Sequence, residues 1–285
     1  MIQTNRQLCA FTGIQTFDLL NVIIKAGEPL DKNQRLLSFH DKVLLTLCKL
    51  KLNITFICIA LLFKIPESTC RRYFKETLIV LEAVLKSAIY WPSKREVLQN
   101  LPLSFSNYTN VQIILDCTEF AVEKTKCLRC RICTYSHYKG DNTIKVLIGV
   151  SPAGLITFVS KAFGGRASDK AIIEQSGVLN KQEPFVDAVM VDKGFHIDEA
   201  CAERNIHLIR PFLQRQTQFT HEQALETSQI ASAWVHVERA IQRLKNFQIL
   251  STKLSWTMLG LIDSILCITT GIVNLSSPIL DTERF

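Results

Sequence analysis

Asp116, Asp192 and Glu238 are the side chains whose type and spacing could do chemistry. Asp116 closes the apolar run Val111-Gln112-Ile113-Ile114-Leu115, Asp192 closes Val186-Asp187-Ala188-Val189-Met190-Val191, and Glu238 lies within Trp234-Val235-His236-Val237-Glu238-Arg239-Ala240-Ile241-Gln242-Arg243-Leu244-Lys245. Hard divalent cations take oxygen ligands, and Mg2+ binds through a few carboxylates together with waters and substrate phosphates. Two such ions about 4 Å apart can activate water or a 3′-hydroxyl on one side of a phosphodiester and stabilise the leaving oxygen on the other. The plainer reading of Glu238 is a surface acid tied to Arg239 or Arg243, because ionised side chains are normally solvated or paired.

Those acids need elements to bring them together. In open sheets, ligands gather beyond the carboxyl ends of strands, and both apolar runs end on an aspartate. Asp116 and Asp192 are 76 residues apart, and 46 more lead to Glu238. If the two strands are neighbours and a helix packs across them, the three acids converge. Clustered carboxylates repel, so convergence would itself argue for a cation. Ile230, Trp234, Val237, Ile241 and Leu244 recur at three- and four-residue steps, which predicts a helix over Thr220 to Leu250 with Glu238 beside its apolar stripe.

Glycine draws the larger division. None occurs between Gly27 and Gly140, whereas seven fall from Gly140 to Gly194. A long glycine-free stretch favours helices, and clustered glycines punctuate strands and turns. The first part therefore reads as all-α and the second as α/β. In the second part, Ile144 to Val150 and Leu155 to Ser160 flank Ser151-Pro152-Ala153-Gly154 as a hairpin. A helix is expected from Asp169 to Gln175, another from Ile197 to Arg204, and a last strand from Ile206 to Ile209. This order is that of a mixed sheet flanked by helices.

In the first part, helices are expected over Phe39 to Leu52, Phe56 to Phe63 and Glu67 to about Ala88, with Pro66 opening the last. A short helix, a tight turn and a second helix with Ser68, Thr69, Arg71, Arg72 and Lys75 near its start is the layout of a DNA-reading helix-turn-helix. A helical bundle with an exposed basic face has the same spacing. The net charge of +7 lies mostly in residues 1–110, where 14 Lys/Arg face 8 Asp/Glu, a balance that suits a polyanionic partner.

At 285 residues with 47% hydrophobic content, the chain can bury a large core. Met1 to Asp18 lacks the charged-apolar-small order of a secretory leader. Leu52 to Ile65 is too short to span a bilayer, and Met258 to Leu275, which carries Asp263, reads as a buried helix more readily than an anchor; no membrane partner is expected. Ten cysteines without a repeating frame point to free thiols in a reducing compartment. Cys127, Cys130 and Cys133 lack the usual paired zinc frame, although Cys117 or His137 could supply a fourth ligand. Gly164-Gly165-Arg166 lacks P-loop spacing and reads as a strand-end turn.

Several stretches carry a resemblance: Ile114 to Glu119, Tyr138 to Lys145, Phe158 to Lys170, Val191-Asp192-Lys193-Gly194-Phe195 and His236 to Lys245. Together they resemble the DDE endonuclease domain of Harbinger-type transposases, nearest to animal copies found with a THAP zinc finger. Ser38 to Pro92, with Arg71-Arg72-Tyr73-Phe74-Lys75, resembles the helix-turn-helix that precedes that domain. The resemblance implies an RNase H-like fold and cleavage and joining of DNA strands. It also implies two Mg2+ or Mn2+ ions held by Asp116, Asp192 and Glu238, with Arg239 and Arg243 as candidate phosphate contacts. The implied layout is an extension at 1–35, a helix-turn-helix domain at 36–92, a connector at 93–110, the endonuclease domain at 111–278 and a tail at 279–285. The implied partner is double-stranded DNA at element ends, with a homo-oligomer or a separate DNA-binding protein as further expectations, in the nucleus. Asp169 matches an acid in the family and stands as a fourth site residue or a structural one.

The departures are the absence of a THAP finger and Asp192-Lys193-Gly194 where the family often has Asp-Arg-Gly. That swap keeps the charge and loses a bidentate donor. The alternative to a working enzyme is a host-adopted or degenerate DNA-binding protein that keeps the fold without catalysis.

Overall fold

The computed structural model of the chain describes residues 2–32, 36–211, 234–235 and 237–278. It divides into two compact units, one built from residues 1–89, 120–124 and 243–277, the other from 90–119, 125–242 and 278–285.

The first unit is helical, and each turn has a local cause. Helices run over Asn5–Thr12, Phe17–Gly27, Phe39–Leu52, Phe56–Phe63 and Glu67–Leu85. Hydroxyls of Thr4, Thr16, Ser38 and Thr55 cap the first four by accepting from a backbone N–H inside the helix, which satisfies donors the helix cannot. Pro66 opens the fifth without a side-chain cap. Asn53 and Lys64 take the left-handed conformation at φ 49° and 53°, turning the chain sharply enough for short helices to pack as neighbours. Tyr73, Phe74, Leu78 and Leu81 are fully buried and hold the fifth helix to the others. Lys42 is buried as well, its Nζ 2.8 Å from Asp31 and over the Tyr73 ring. Residues 5–27, which the sequence left unassigned, are two helices of this unit.

The apolar stretch near the C-terminus also belongs here. A 3-10 segment, Trp256–Leu261, leads into the helix Ile262–Asn274, and together they are long and apolar enough to cross a membrane. In the fold that helix packs on Glu67–Leu85 instead. Ser264 Oγ donates to Glu82 at 2.6 Å, and Asn274 Nδ2 donates to the Ala88 carbonyl at 2.9 Å. Gly271 lies so close to Leu85 that an added Cβ would stand 2.8 Å from the Leu85 carbonyl oxygen.

The second unit contains a mixed sheet flanked by helices, as expected. Its strands are β1 Val111–Ala121, β2 Tyr135–Ser136, β3 Asp141–Val150, β4 Ile156–Val159, β5 Phe163–Gly164, β6 Ala188–Val191 and β7 His207–Ile209. The order is β2-β3-β1-β6-β7, with β4 and β5 also on β3. Strands β2, β4 and β5 run antiparallel to β3, whereas β6 is parallel to both β1 and β7. Ile113 and Leu115 of β1 and Val189 and Val191 of β6 form one core with Ile172 and Ile173 of the helix Asp169–Ser176 and Cys201 of the helix Asp198–Ala202.

Four expectations are corrected. The first strand does not end on Asp116 but continues to Ala121. The connector holds a capped helix, Lys94–Gln99, in which Ser93 and Glu96 satisfy each other's backbone donors. Cys127 caps an unforeseen helix, Leu128–Thr134. The helix carrying Glu238 is described over 237–245 and does not run on to Leu250; its earlier part, with Ile230 and His236, lies outside the described residues. At its end the Asn246 and Phe247 N–H groups donate to the Arg243 and Leu244 carbonyls three residues back, the Asn246 carbonyl accepts from Lys51 Nζ at 2.9 Å, and Phe247 turns inward against Gly13. A separate turn, Gln248–Ser251, follows.

The close approach at Gly271 is testable. Gly271→Val should destabilise the helical unit by about 1–3 kcal/mol, the usual range for overpacking a core, read as a lower urea midpoint. An unchanged midpoint would show that the two helices are not in contact there.

Candidate active site

The register of β1 against β6 builds the site. Ile114 pairs with Met190 and Leu115 with Val191 in a parallel ladder. Asp116 and Asp192 are each the next residue, so they stand abreast on neighbouring strands. Asp116 is half-buried and still within β1, and Asp192 is exposed just past the end of β6. Asp192 Oδ1 accepts from the Lys193 backbone N–H at 2.7 Å, and its carbonyl accepts from the Phe195 N–H at 3.1 Å. This turn holds Asp192 at the strand end.

Glu238 is carried by the helix at 237–245. Val237, Ala240, Ile241 and Leu244 are buried and form the expected stripe, while Glu238 beside it is exposed. Among the described residues, no three Asp, Glu, His or Cys side chains group closely enough to hold a metal ion. The structure thus pairs the strands that carry the two aspartates, and among the described residues Asp116, Asp192 and Glu238 do not form a three-acid group. In donor chemistry the three fit a hard cation, since every candidate ligand is a carboxylate oxygen.

An ion network that sequence reasoning missed occupies alternate positions of the same strand. Glu119 of β1 is buried, and its two oxygens are served by Thr143 Oγ1 at 2.7 Å and Lys145 Nζ at 3.5 Å. Lys145 also meets Asp169 at 3.1 Å and the Ala167 carbonyl at 3.2 Å. Asp169 accepts from the Cys117 thiol. Burial acts to lower the Lys145 pKa, but Asp169 and then Glu119 outweigh it and raise the value. Burial first, and then Asp169, pushes the Cys117 thiol far up, so this cysteine stays protonated. Asp169 is therefore engaged by both Lys145 and Cys117. The alternation of polar residues at 117 and 119 was the signal that could have found this network.

The glycine pair after β5 serves the same network. A side chain at Gly165 would strike the Thr143 hydroxyl and the Thr134 carbonyl, and one at Gly164 would strike the Cys133 carbonyl. Gly164-Gly165 is thus a close backbone approach at a strand end. Cys127 Sγ accepts from the Cys130 N–H at 3.4 Å, and the three clustered cysteines are free.

The basic candidates sit as follows. Ser68, Arg71, Arg72 and Lys75 are exposed on one face of Glu67–Leu85, and Thr69 is half-buried. Arg239 is half-buried. Arg243 Nη1 donates to the Ser277 carbonyl at 2.6 Å, and burial lowers its pKa.

Comparison with known families follows this geometry. The family described as DDE superfamily endonuclease matches residues 115–274, and the family described as helix-turn-helix of DDE superfamily endonuclease matches residues 34–87. No curated protein and no solved structure matches the chain.

Removing the cation at the centre of the network leaves Glu119 charged and buried. Lys145→Met should destabilise the fold by about 3 kcal/mol at neutral pH, the cost of breaking a buried pair, and adding Glu119→Gln should recover part of it. Because the folded pKa of Lys145 is raised, the wild-type advantage should be complete below the ordinary lysine range and vanish only as pH climbs through the raised value. Denaturant titrations of the three proteins across pH test this, and equal midpoints would contradict it.

Proposed function

The chain belongs to the DDE superfamily endonucleases, and from that premise we propose that it is a Harbinger-type transposase, or a nuclease derived from one, that cuts and joins DNA. Its helix-turn-helix binds double-stranded DNA at element ends, and its α/β unit cleaves the phosphodiester. In this reading Asp116, Asp192 and Glu238 would hold two Mg2+ or Mn2+ ions. Bound there, such ions supply charge that activates water or a 3′-hydroxyl and stabilises the leaving oxygen. The observation that carries the reading is the Leu115–Val191 register, which aligns two aspartates within the segment matched to the endonuclease family.

The remaining roles follow from position. The buried stripe of helix 237–245 fixes the face on which Glu238 sits, and Glu238 would supply the third carboxylate. Arg239 and Arg243, one turn apart on that helix, would contact phosphates, and Arg243 also donates to the Ser277 carbonyl. Lys193, exposed beside Asp192, adds a point charge close to where substrate phosphate would lie. Action in the nucleus, as a homo-oligomer or with a separate DNA-binding protein, completes the proposal.

One observation favours a second reading, a DNA-binding protein that keeps the fold without cutting: Glu238 lies outside any three-acid group. Nicking of supercoiled plasmid in Mg2+ by the full chain separates the two. The nuclease reading predicts nicked product for wild type and background for Asp116→Asn and Asp192→Ala. Equal activity in all three, or none in wild type with DNA binding intact, would sink it.

A further inference from the structure

We propose that Arg71 reads a guanine in the DNA major groove, held for that contact by Glu67 and Phe56. The inference rests on the reading of Glu67–Leu85 as the DNA-contacting helix and adds which base that helix selects. Arg71 Nε and Nη2 donate to the same Glu67 oxygen at 2.9 Å and 2.6 Å. Its guanidinium lies over the Phe56 ring, 4.6 Å from the centroid. Phe56 is buried and packs edge-on against Phe74 with centroids 5.4 Å apart. The ring comes from the preceding helix, Phe56–Phe63, so this is more than the ordinary i,i+4 pair of an exposed helix face.

A guanidinium carries five N–H donors in a planar fork. Glu67 occupies the edge shared by Nε and Nη2, and both of Arg71's hydrogen bonds among the described residues go to it. Three N–H groups are left, two on Nη1 and one on Nη2, and one from each nitrogen lies parallel to the other at the tip of the fork. Guanine presents N7 and O6 as two adjacent acceptors in the major groove, and the arginine fork spans them. The side chain is half exposed at 52%, which leaves it accessible to a DNA groove.

Charge argues for base rather than phosphate. A carboxylate at 2.6 Å offsets much of the attraction Arg71 would have for a phosphate and repels the phosphate itself. It leaves the directional hydrogen bonds intact. Arg72, 3.9 Å from Glu76 and stacked on Tyr73, and the exposed Lys75 are less fixed and suit backbone contacts, which position a protein without reading sequence. Lys49 helps hold the platform, with its Nζ over Phe56 at 5.1 Å and bonded to Asn53 Oδ1 and the Ile54 carbonyl.

The test selects bound duplexes from a random-core DNA library with the full chain, then with Arg71→Lys, Arg71→Ala and Glu67→Gln. Wild type should enrich a guanine at one position, and replacing that guanine by 7-deazaguanine, which removes N7, should weaken binding. Arg71→Lys keeps the charge and loses the fork; it and Arg71→Ala should lose discrimination at that position by about 5- to 150-fold while preferences elsewhere persist. Glu67→Gln should blunt the same preference. Retention of the guanine preference in Arg71→Lys, or a loss of affinity spread evenly over all sequences, overturns the assignment of Arg71 alone. Wild type that binds no duplex overturns the DNA-binding reading itself.

Discussion

The parallel register between β1 and β6 is the constraint on which the site depends. Leu115 faces Val191, and a slip of one residue would turn every side chain of one strand to the opposite face. The buried residues on these strands forbid that slip. Ile113, Leu115, Val189 and Val191 share one core, so the hydrophobic pattern that builds the sheet also fixes Asp116 beside Asp192. The acids thus inherit their alignment from apolar packing, which is worth far more than any carboxylate could contribute.

Strand β1 does two electrostatic jobs at once. Asp116 lies on one side of its alternation, with Cys117 and Glu119 on the other, where Lys145, Thr143 and Asp169 answer them. One cation between two carboxylates keeps the buried side of the strand near neutrality. Without it, Glu119 would add a like charge close to Asp116 and weaken any case for binding substrate phosphate there. Gly165 lets the chain approach Thr143 closely enough for this network to close.

Much of this was legible because it is written in local pattern. Pro66 marked a helix start, Ser151-Pro152-Ala153-Gly154 marked the hairpin, and the alternation of glycine-free and glycine-rich stretches separated all-α from α/β. What was not legible depended on long-range pairing. The Val111 run looked complete at Asp116, yet β1 continues to Ala121, where Ala121 and Val122 meet Leu254. Nothing near Asn246 in the sequence shows that Lys51, far away, meets its carbonyl. The C-terminal apolar run carries no mark of its partner, since only the fold brings Gly271 against Leu85. The two aspartates were foreseen as neighbours. The position of Glu238 relative to them could not be read from a helical stripe, which fixes a face and not a distance.

The central claim is that Asp116 and Asp192 share a divalent ion with Glu238. Crystals of the full chain soaked in Mn2+ and measured at a wavelength where manganese scatters anomalously test it most directly. The account predicts anomalous density between the two strand aspartates with Glu238 drawn in as a ligand. Density elsewhere, or none at an ion concentration at which the protein nicks DNA, would contradict it.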